Sequence, residues 1–377
     1  MSHSATVNAQ PSTLGLAYTY NSVNNRLTRS ETVGAAPTVT QAYGYDPIDQ
    51  VTSANYGTGR SETFAYDAAG NRTIATDSAT GTTTYTANAL NQYTTVDSLP
   101  APAYDANGNL TAFNGWTYSY DTENRLTAAT NAAASTSASF TYDWRRRQVS
   151  RTINGTTTWL IYDGWNLLAE YSSTGTLQAK YMHGPVVDEI LARMDASGAV
   201  YYHQDGLGST VTLTNSAGAV VERYTYDVFG APTILNASGS VIAQSAHRNR
   251  FLFTGREWIA EAGLYDYRNR VYSPHWGRFL QIDPIRFDGN DVNLYRYVSN
   301  RPIDRSDPYG LISLEDFFGN WYPCAGNGLL EGTCQFTCLR EGKVMVRCEF
   351  RIRVIGNSTE YTLRCKCACV IRPRGGV

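Results

Sequence analysis

Long apolar runs are missing from this chain. No stretch approaches the ~18 residues that a membrane-crossing helix needs, and Met1-Ser2-His3-Ser4 does not open a secretory signal. Charge is sparse, with Asp, Glu, Lys and Arg making up only 17% of the 377 residues. A net charge of −2 and a pI near 6.2 argue against nucleic acid as the main partner of the whole chain. Cysteine is withheld from every position before Ile312, so nothing upstream is stapled by sulfur. Histidine is absent after Leu311, which deprives the final segment of the commonest general base.

What the chain has in quantity is tyrosine, 27 residues, and glycine, 32, a profile that suits an all-β protein with many turns. The tyrosines keep time. A Tyr-Asp pair falls at Tyr45-Asp46, Tyr66-Asp67, Tyr104-Asp105, Tyr120-Asp121, Tyr142-Asp143 and Tyr162-Asp163, with weaker beats at Tyr20-Asn21 and Tyr85-Thr86. A period of roughly twenty residues means stacked supersecondary units. The best-formed beats, Tyr66-Asp67-Ala68-Ala69-Gly70-Asn71-Arg72 and Tyr104-Asp105-Ala106-Asn107-Gly108-Asn109-Leu110, read as a strand that ends in a turn. Asp accepts a hydrogen bond from the backbone two residues on, and Gly and Asn tolerate positive φ. A lone two-stranded hairpin is too small to be stable, so neighbours pair edge to edge into a continuous sheet. Tyr then packs on one face, its ring buried and its hydroxyl reaching water or backbone. The Asp residues of the beats are architectural, and Trp144-Arg145-Arg146-Arg147 reads as a solvated charge cluster at a turn.

After Tyr171 the regular beat stops, and residues 176 to 311 become denser in aromatics, Arg and Gly. The blocks Tyr201-Tyr202-His203-Gln204-Asp205-Gly206-Leu207-Gly208-Ser209, Tyr224-Thr225-Tyr226-Asp227-Val228-Phe229-Gly230, Gly263-Leu264-Tyr265-Asp266-Tyr267-Arg268-Asn269-Arg270 and Gly277-Arg278-Phe279-Leu280-Gln281 follow one another in that order. Together with the upstream repeats, this run resembles the RHS repeat-associated core of RHS and YD-repeat proteins, from about Tyr18 to Leu311. One departure is Gly206, where the family usually has a second His. The resemblance implies a strand that spirals into a shell, a secreted or cell-surface setting, and an enclosed C-terminal segment as cargo. His203 and Asp205 are two potential metal ligands and make an incomplete site, and Gly206-Leu207-Gly208-Ser209 reads as a turn rather than a phosphate cradle. No cofactor is implied.

Two Asp-Pro turns close the core: Asp283-Pro284-Ile285-Arg286 and Asp307-Pro308-Tyr309-Gly310, the second followed by Leu311. In RHS proteins similar paired motifs form an aspartic self-cleavage site that cuts after the Leu, here between Leu311 and Ile312, assisted by an Arg that Arg270 matches. By resemblance the catalytic set is therefore Asp283, Asp307 and Arg270. Two nearby carboxyls supply both a base for water and an acid for the leaving amine. Asp-Pro-x-Gly is also a plain type I turn. Arg286 and Phe287 stand where Gly-Leu is common, and the 20 residues between the motifs exceed the family's usual gap.

Beyond Leu311 lie Cys324, Cys334, Cys338, Cys348, Cys365, Cys367 and Cys369. A segment this small needs staples, either disulfides or a metal. The odd count leaves one thiol over in a fully disulfide arrangement, and Cys334-x-x-x-Cys338 is not a standard zinc spacing. Lys343 to Arg353 and Glu360 to Ile371 alternate well enough to pair as strands. Glu315, Asp316, Glu331, Glu341, Glu349 and Glu360 form no catalytic set.

The reading is three regions: hairpin shell 1–175, associated core 176–311 and variable cysteine-rich segment 312–377. The chain is expected to carry its C-terminal segment, a toxin or effector by resemblance, and to release it by a single self-cleavage after Leu311. The alternative is a non-catalytic surface or adhesive repeat protein. Only about eight units precede the core, so further repeat-containing chain is expected to complete the shell, either from a longer parent or from a partner.

Overall fold

Most of the Tyr-Asp beats fold as the sequence dictates, in two steps that repeat along the chain, whereas Asp163 stays in its strand and pairs with Asn166. The Asp67 carboxylate accepts the amides of Ala69 and Asn71, both at 2.9 Å, while the Gly70 amide donates to the Asp67 carbonyl at 3.0 Å. Asp46, Asp105, Asp121, Asp143 and Asp227 make the same pair of bonds to the amides two and four residues on. The carboxylate thus closes its own turn. The tyrosine hydroxyl does something the turn cannot: it reaches back to the preceding unit. Tyr45, Tyr66, Tyr120, Tyr142 and Tyr226 donate to the carbonyls of Arg26, Val51, Leu110, Leu126 and Thr210 at 2.6–2.8 Å. The register slips by one residue just before Tyr45, Tyr66, Tyr120 and Tyr142, a bulge that aims each ring along the sheet.

The computed structural model describes residues 2–4, 14–311, 344–349 and 366–370. Among these, one sheet of nine antiparallel strands runs in sequential order from Ser2–Ser4 to Tyr93–Val96. A second sheet, of fifteen strands, runs from Ala103–Tyr104 to Val241–Ile242. The fifteen-stranded sheet crosses residue 175 without a break. The beat continues there in altered spelling. His183 Nε2 lies 2.7 Å from the Leu167 carbonyl, and Gln204 Nε2 donates to the Asp188 carbonyl at 3.2 Å, each just after a register slip.

Inside the wall sits a small four-stranded sheet, Glu257–Ile259, Leu264–Asp266, Val271–Ser273 and Arg278–Phe279. Its aromatic cluster of Tyr265, Tyr267, Tyr272, Phe279 and Tyr297 is at most 1% exposed. The rings meet mostly edge to face at 4.4–6.4 Å. Tyr265 and Tyr272 pin this plug to the wall by donating to the carbonyls of Gly230 and Phe229 at 2.9 and 2.8 Å. Late hairpins also meet early ones. The Val228 amide donates to the Tyr56 hydroxyl at 2.8 Å, Phe64 packs edge-on against Phe229 at 5.1 Å, and the Gly206 amide donates to the Tyr18 hydroxyl at 3.2 Å. Asp205 closes a turn of the standard kind through the amides of Leu207 and Ser209, and His203 pairs with the Thr214 hydroxyl.

The basic run after Tyr142 is less solvated than its composition suggests. Trp144 is 81% exposed under the Arg145 guanidinium. Arg146 and Arg147, however, staple their turn to its neighbours through the carbonyls of Glu123 and Gly164. Among the described residues no helix is long and apolar enough to cross a membrane.

The chain divides into two compact units, Met1–Asn320 and Trp321–Val377. In the second, Val344–Glu349 pairs antiparallel with Lys366–Val370, and the register sets Cys348 opposite Cys367. Cys324, Cys334, Cys338, Cys365 and Ile312 lie outside the described residues.

If the hydroxyl bond between units holds the wall together, Tyr142→Phe lowers unfolding free energy by about 1 kcal/mol. Trp144→Ala, at an exposed ring beside it, changes stability by less than about 0.5 kcal/mol. Urea denaturation of the two variants against the parent checks both values.

Candidate active site

The two Asp-Pro segments both form the turns their residues favour. The Arg286 amide donates to the Asp283 carbonyl at 2.9 Å, and the Ile285 amide to the Asp283 carboxylate at 2.9 Å. In the second turn the Gly310 amide donates to the Asp307 carbonyl at 3.3 Å, and the Leu311 amide to Asp307 Oδ1 at 3.1 Å. Each carboxylate spends one oxygen on its own turn. The other oxygens converge: Arg270 Nη2 lies 2.8 Å from Asp283 Oδ2 and 3.4 Å from Asp307 Oδ2. Asp283, Asp307 and Arg270 are 6%, 2% and 3% exposed, so this is a charge cluster withdrawn from water.

Arg270 is held from every side. Its Nε donates to the Gly310 carbonyl at 2.7 Å, Nη1 to the Leu294 carbonyl at 3.1 Å, and its guanidinium lies 3.6 Å from the centre of the Phe279 ring. Its neighbours grip the same turn. Arg268 donates to the Pro308 carbonyl and Asn269 Nδ2 to the Tyr309 carbonyl at 2.9 Å, so three consecutive side chains hold three consecutive carbonyls. Asp188, from the turn between the strands Leu177–His183 and Ile190–Asp195, fixes Arg268 at 2.5 Å and Arg256 at 2.9 Å. Gly310 has φ +64, and a Cβ there would sit 2.5 Å from the Tyr267 carbonyl oxygen, so only glycine lets the clamp close.

Burial shifts both acids in the same direction. Burial pushes the Asp283 carboxyl up to about 6, against the opposing pull of Arg270. Burial also raises Asp307, against Arg270 and the amides of Leu311, Tyr309 and Gly310. Arg270 lies closer to Asp283 than to Asp307. Burial lowers Arg270 itself, while both acids sustain its charge.

Four of the residues singled out by sequence, Asp283, Asp307, Arg270 and Leu311, come together here. Arg268, Asn269 and Asp188 were not singled out. The first two sit in the same Tyr-Arg-Asn-Arg run as Arg270, and their adjacency was the available signal. Asp188 has none, because its partners lie far along the chain. Arg286, the residue in place of a common glycine, adopts φ +51, so the backbone keeps the conformation that a glycine would take. Among the described residues no group of His, Cys, Asp and Glu is arranged to hold a metal ion.

The family model of the teneurin YD-shell matches residues 11–303. The tRNA nuclease WapA of Bacillus subtilis (strain 168) is 31% identical over 275 residues, which is 71% of this chain and 12% of that protein. The double-stranded DNA deaminase toxin A of Burkholderia cenocepacia (strain H111) is 27% identical over 303 residues, covering 71% of this chain and 20% of its own length. The crystal structure of TcdB2-TccC3-Cdc42 superposes with a TM-score of 0.65 at 22% identity, over 79% of this chain and 17% of that one, a likeness of fold. This chain therefore spans only a small part of the length of these relatives. Hairpins in unbroken order, a tyrosine-rich plug pinned to their inner face and the family match over most of the chain lead to one assignment: the protein belongs to the teneurin YD-shell family of RHS/YD-repeat proteins.

Proposed function

We propose that this chain is the closing part of a YD-repeat shell, that it carries the residues after Leu311 as cargo, and that it severs the Leu311–Ile312 bond by intramolecular aspartic proteolysis. The observation that carries the reading is the convergence of Asp283 and Asp307, from two separate turns, on one buried arginine beside Leu311. Plain turn formers have no reason to aim their second oxygens at a shared guanidinium away from water, since burying such charges is costly. Asp283 takes the proton of an attacking water. Asp307 protonates the amine nitrogen of Ile312 as the bond breaks, and Arg270 holds Asp283 and the Gly310 carbonyl in place. Because the scissile bond is tethered in the same chain, positioning alone supplies roughly 7–11 kcal/mol of the barrier. The single cut makes this a one-turnover reaction.

The names of relatives, a tRNA nuclease and a DNA deaminase toxin, support an effector role for the segment beyond Leu311 and an exported setting. The two-component name TcdB2-TccC3 supports a second repeat-containing chain that completes the shell. A purely structural, non-catalytic surface protein would leave the chain whole.

Purified full-length protein is expected to yield a fragment beginning at Ile312, detected by mass spectrometry. Asp283→Asn and Asp307→Asn, which preserve the turns, slow the cut by about 10²-fold or more. Full-length protein that stays intact for days between mildly acidic and neutral pH contradicts the reading.

The pH profile follows from the two roles. The base works only when ionised, so the rate climbs as pH rises through about 6, the value for Asp283. The acid works only when protonated, so the rate falls again once pH passes the raised value of Asp307. Initial rates across a buffer series should trace a bell, and a flat profile contradicts the assignment.

Arg286→Gly relieves a left-handed non-glycine backbone and is expected to stabilise the protein by about 1 kcal/mol without loss of cleavage. Thermal unfolding and the cleavage assay check the two halves of that statement.

A further inference from the structure

Gly289 ends the short 3-10 segment Arg286–Gly289 that follows the first Asp-Pro turn. Nothing in its backbone calls for glycine, because its φ lies outside the left-handed region where side chains are strained. Crowding does not call for it either. A Cβ built there would stand 3.6 Å from the Leu311 carbonyl oxygen, 3.7 Å from Asp283 Oδ2 and 3.7 Å from Ile285 Cδ1, all ordinary contacts. The bare side of Gly289 therefore leaves a small space bounded by the acid and by the carbonyl of the bond to be cut.

We propose that this space holds the hydrolytic water, and that Gly289 is a positioning residue whose missing side chain keeps it open. The inference rests on the self-cleavage reading above. A water needs two or more polar partners to be held, and here Asp283 Oδ2 and the Leu311 carbonyl oxygen supply them, with Ile285 as an apolar floor. Asp283 accepts one water proton as the water oxygen bonds to the Leu311 carbonyl carbon. The tetrahedral centre then collapses with loss of the Ile312 nitrogen, which takes its proton from Asp307. A methyl group at residue 289 would crowd a water held between these two oxygens while standing only in ordinary contact with Asp283.

The test compares the full chain with Gly289→Ala, and with Asp288→Ala as a neighbouring exposed control. The expected result is cleavage slowed by about 10²-fold in Gly289→Ala, with the thermal midpoint and the rise near pH 6 both preserved; Asp288→Ala cuts at the parent rate. A merely structural defect would move the thermal or the pH midpoint. The second measurement is a crystal structure of uncleaved Asp283→Asn, in which an ordered water should bridge residue 283 and the Leu311 carbonyl oxygen over Gly289. Parent-like cleavage in Gly289→Ala, or an empty space in that crystal, overturns this inference and leaves the self-cleavage reading standing. A parent chain that never cuts overturns both.

Discussion

The wall depends on a hydrogen bond that no hairpin can make within itself. Strand ladders pair each hairpin with its neighbours, but ladders alone tolerate slippage, since a two-residue shift preserves which side chains face inward. The tyrosine hydroxyl removes that freedom. By donating to a carbonyl of the preceding unit, as Tyr66 does to Val51 and Tyr142 to Leu126, it ties each turn to one register. The Asp beside it makes the turn rigid enough for that reach to be repeatable.

The same logic builds the site. Like the Asp residues of the beats, Asp283 and Asp307 close their own turns, Asp283 through the amide two residues on and Asp307 through the amide four residues on. Turn former and acid are therefore not rival descriptions, because a carboxylate has two oxygens and the turn uses one. The remaining oxygens meet Arg270, and the cost of burying that charge is met by four acceptors and an aromatic face. Such a cluster is stiff. A clamp of Arg268, Asn269 and Arg270 on the carbonyls of Pro308, Tyr309 and Gly310 presents Leu311 at a set distance from the acids.

Wall and plug are joined through backbone carbonyls as well as through side-chain pairs such as Asp188 with Arg256 and Arg268. Tyr265 and Tyr272 bind the carbonyls of Gly230 and Phe229, and Val228 gives its amide to Tyr56. The turn after Tyr226 thus joins the late hairpins, the early hairpins and the aromatic plug at one place. From that joint the Tyr272 ring meets Phe279, over which the Arg270 guanidinium lies.

Everything governed by near neighbours was legible in the sequence. The Asp turns, the positive-φ glycines and the all-β hairpin class follow from bonds spanning two to four residues, so their residue types recur in fixed order. The pattern stopped being legible where another side chain took over the tyrosine's task, as with His183 and Gln204, because the bond requires only a polar atom at the right reach. Within the site, the Asp-Pro pair and Arg270 were named from family likeness, and nothing local tells that their side chains converge. That convergence, the grip of Asp188 on Arg268, the meeting of Phe229 with Phe64 and the open side of Gly289 were decided by tertiary structure alone. Each depends on segments far apart in the chain being brought together by the closing of the wall, and distance in space between such segments leaves no periodic trace in the order of residues.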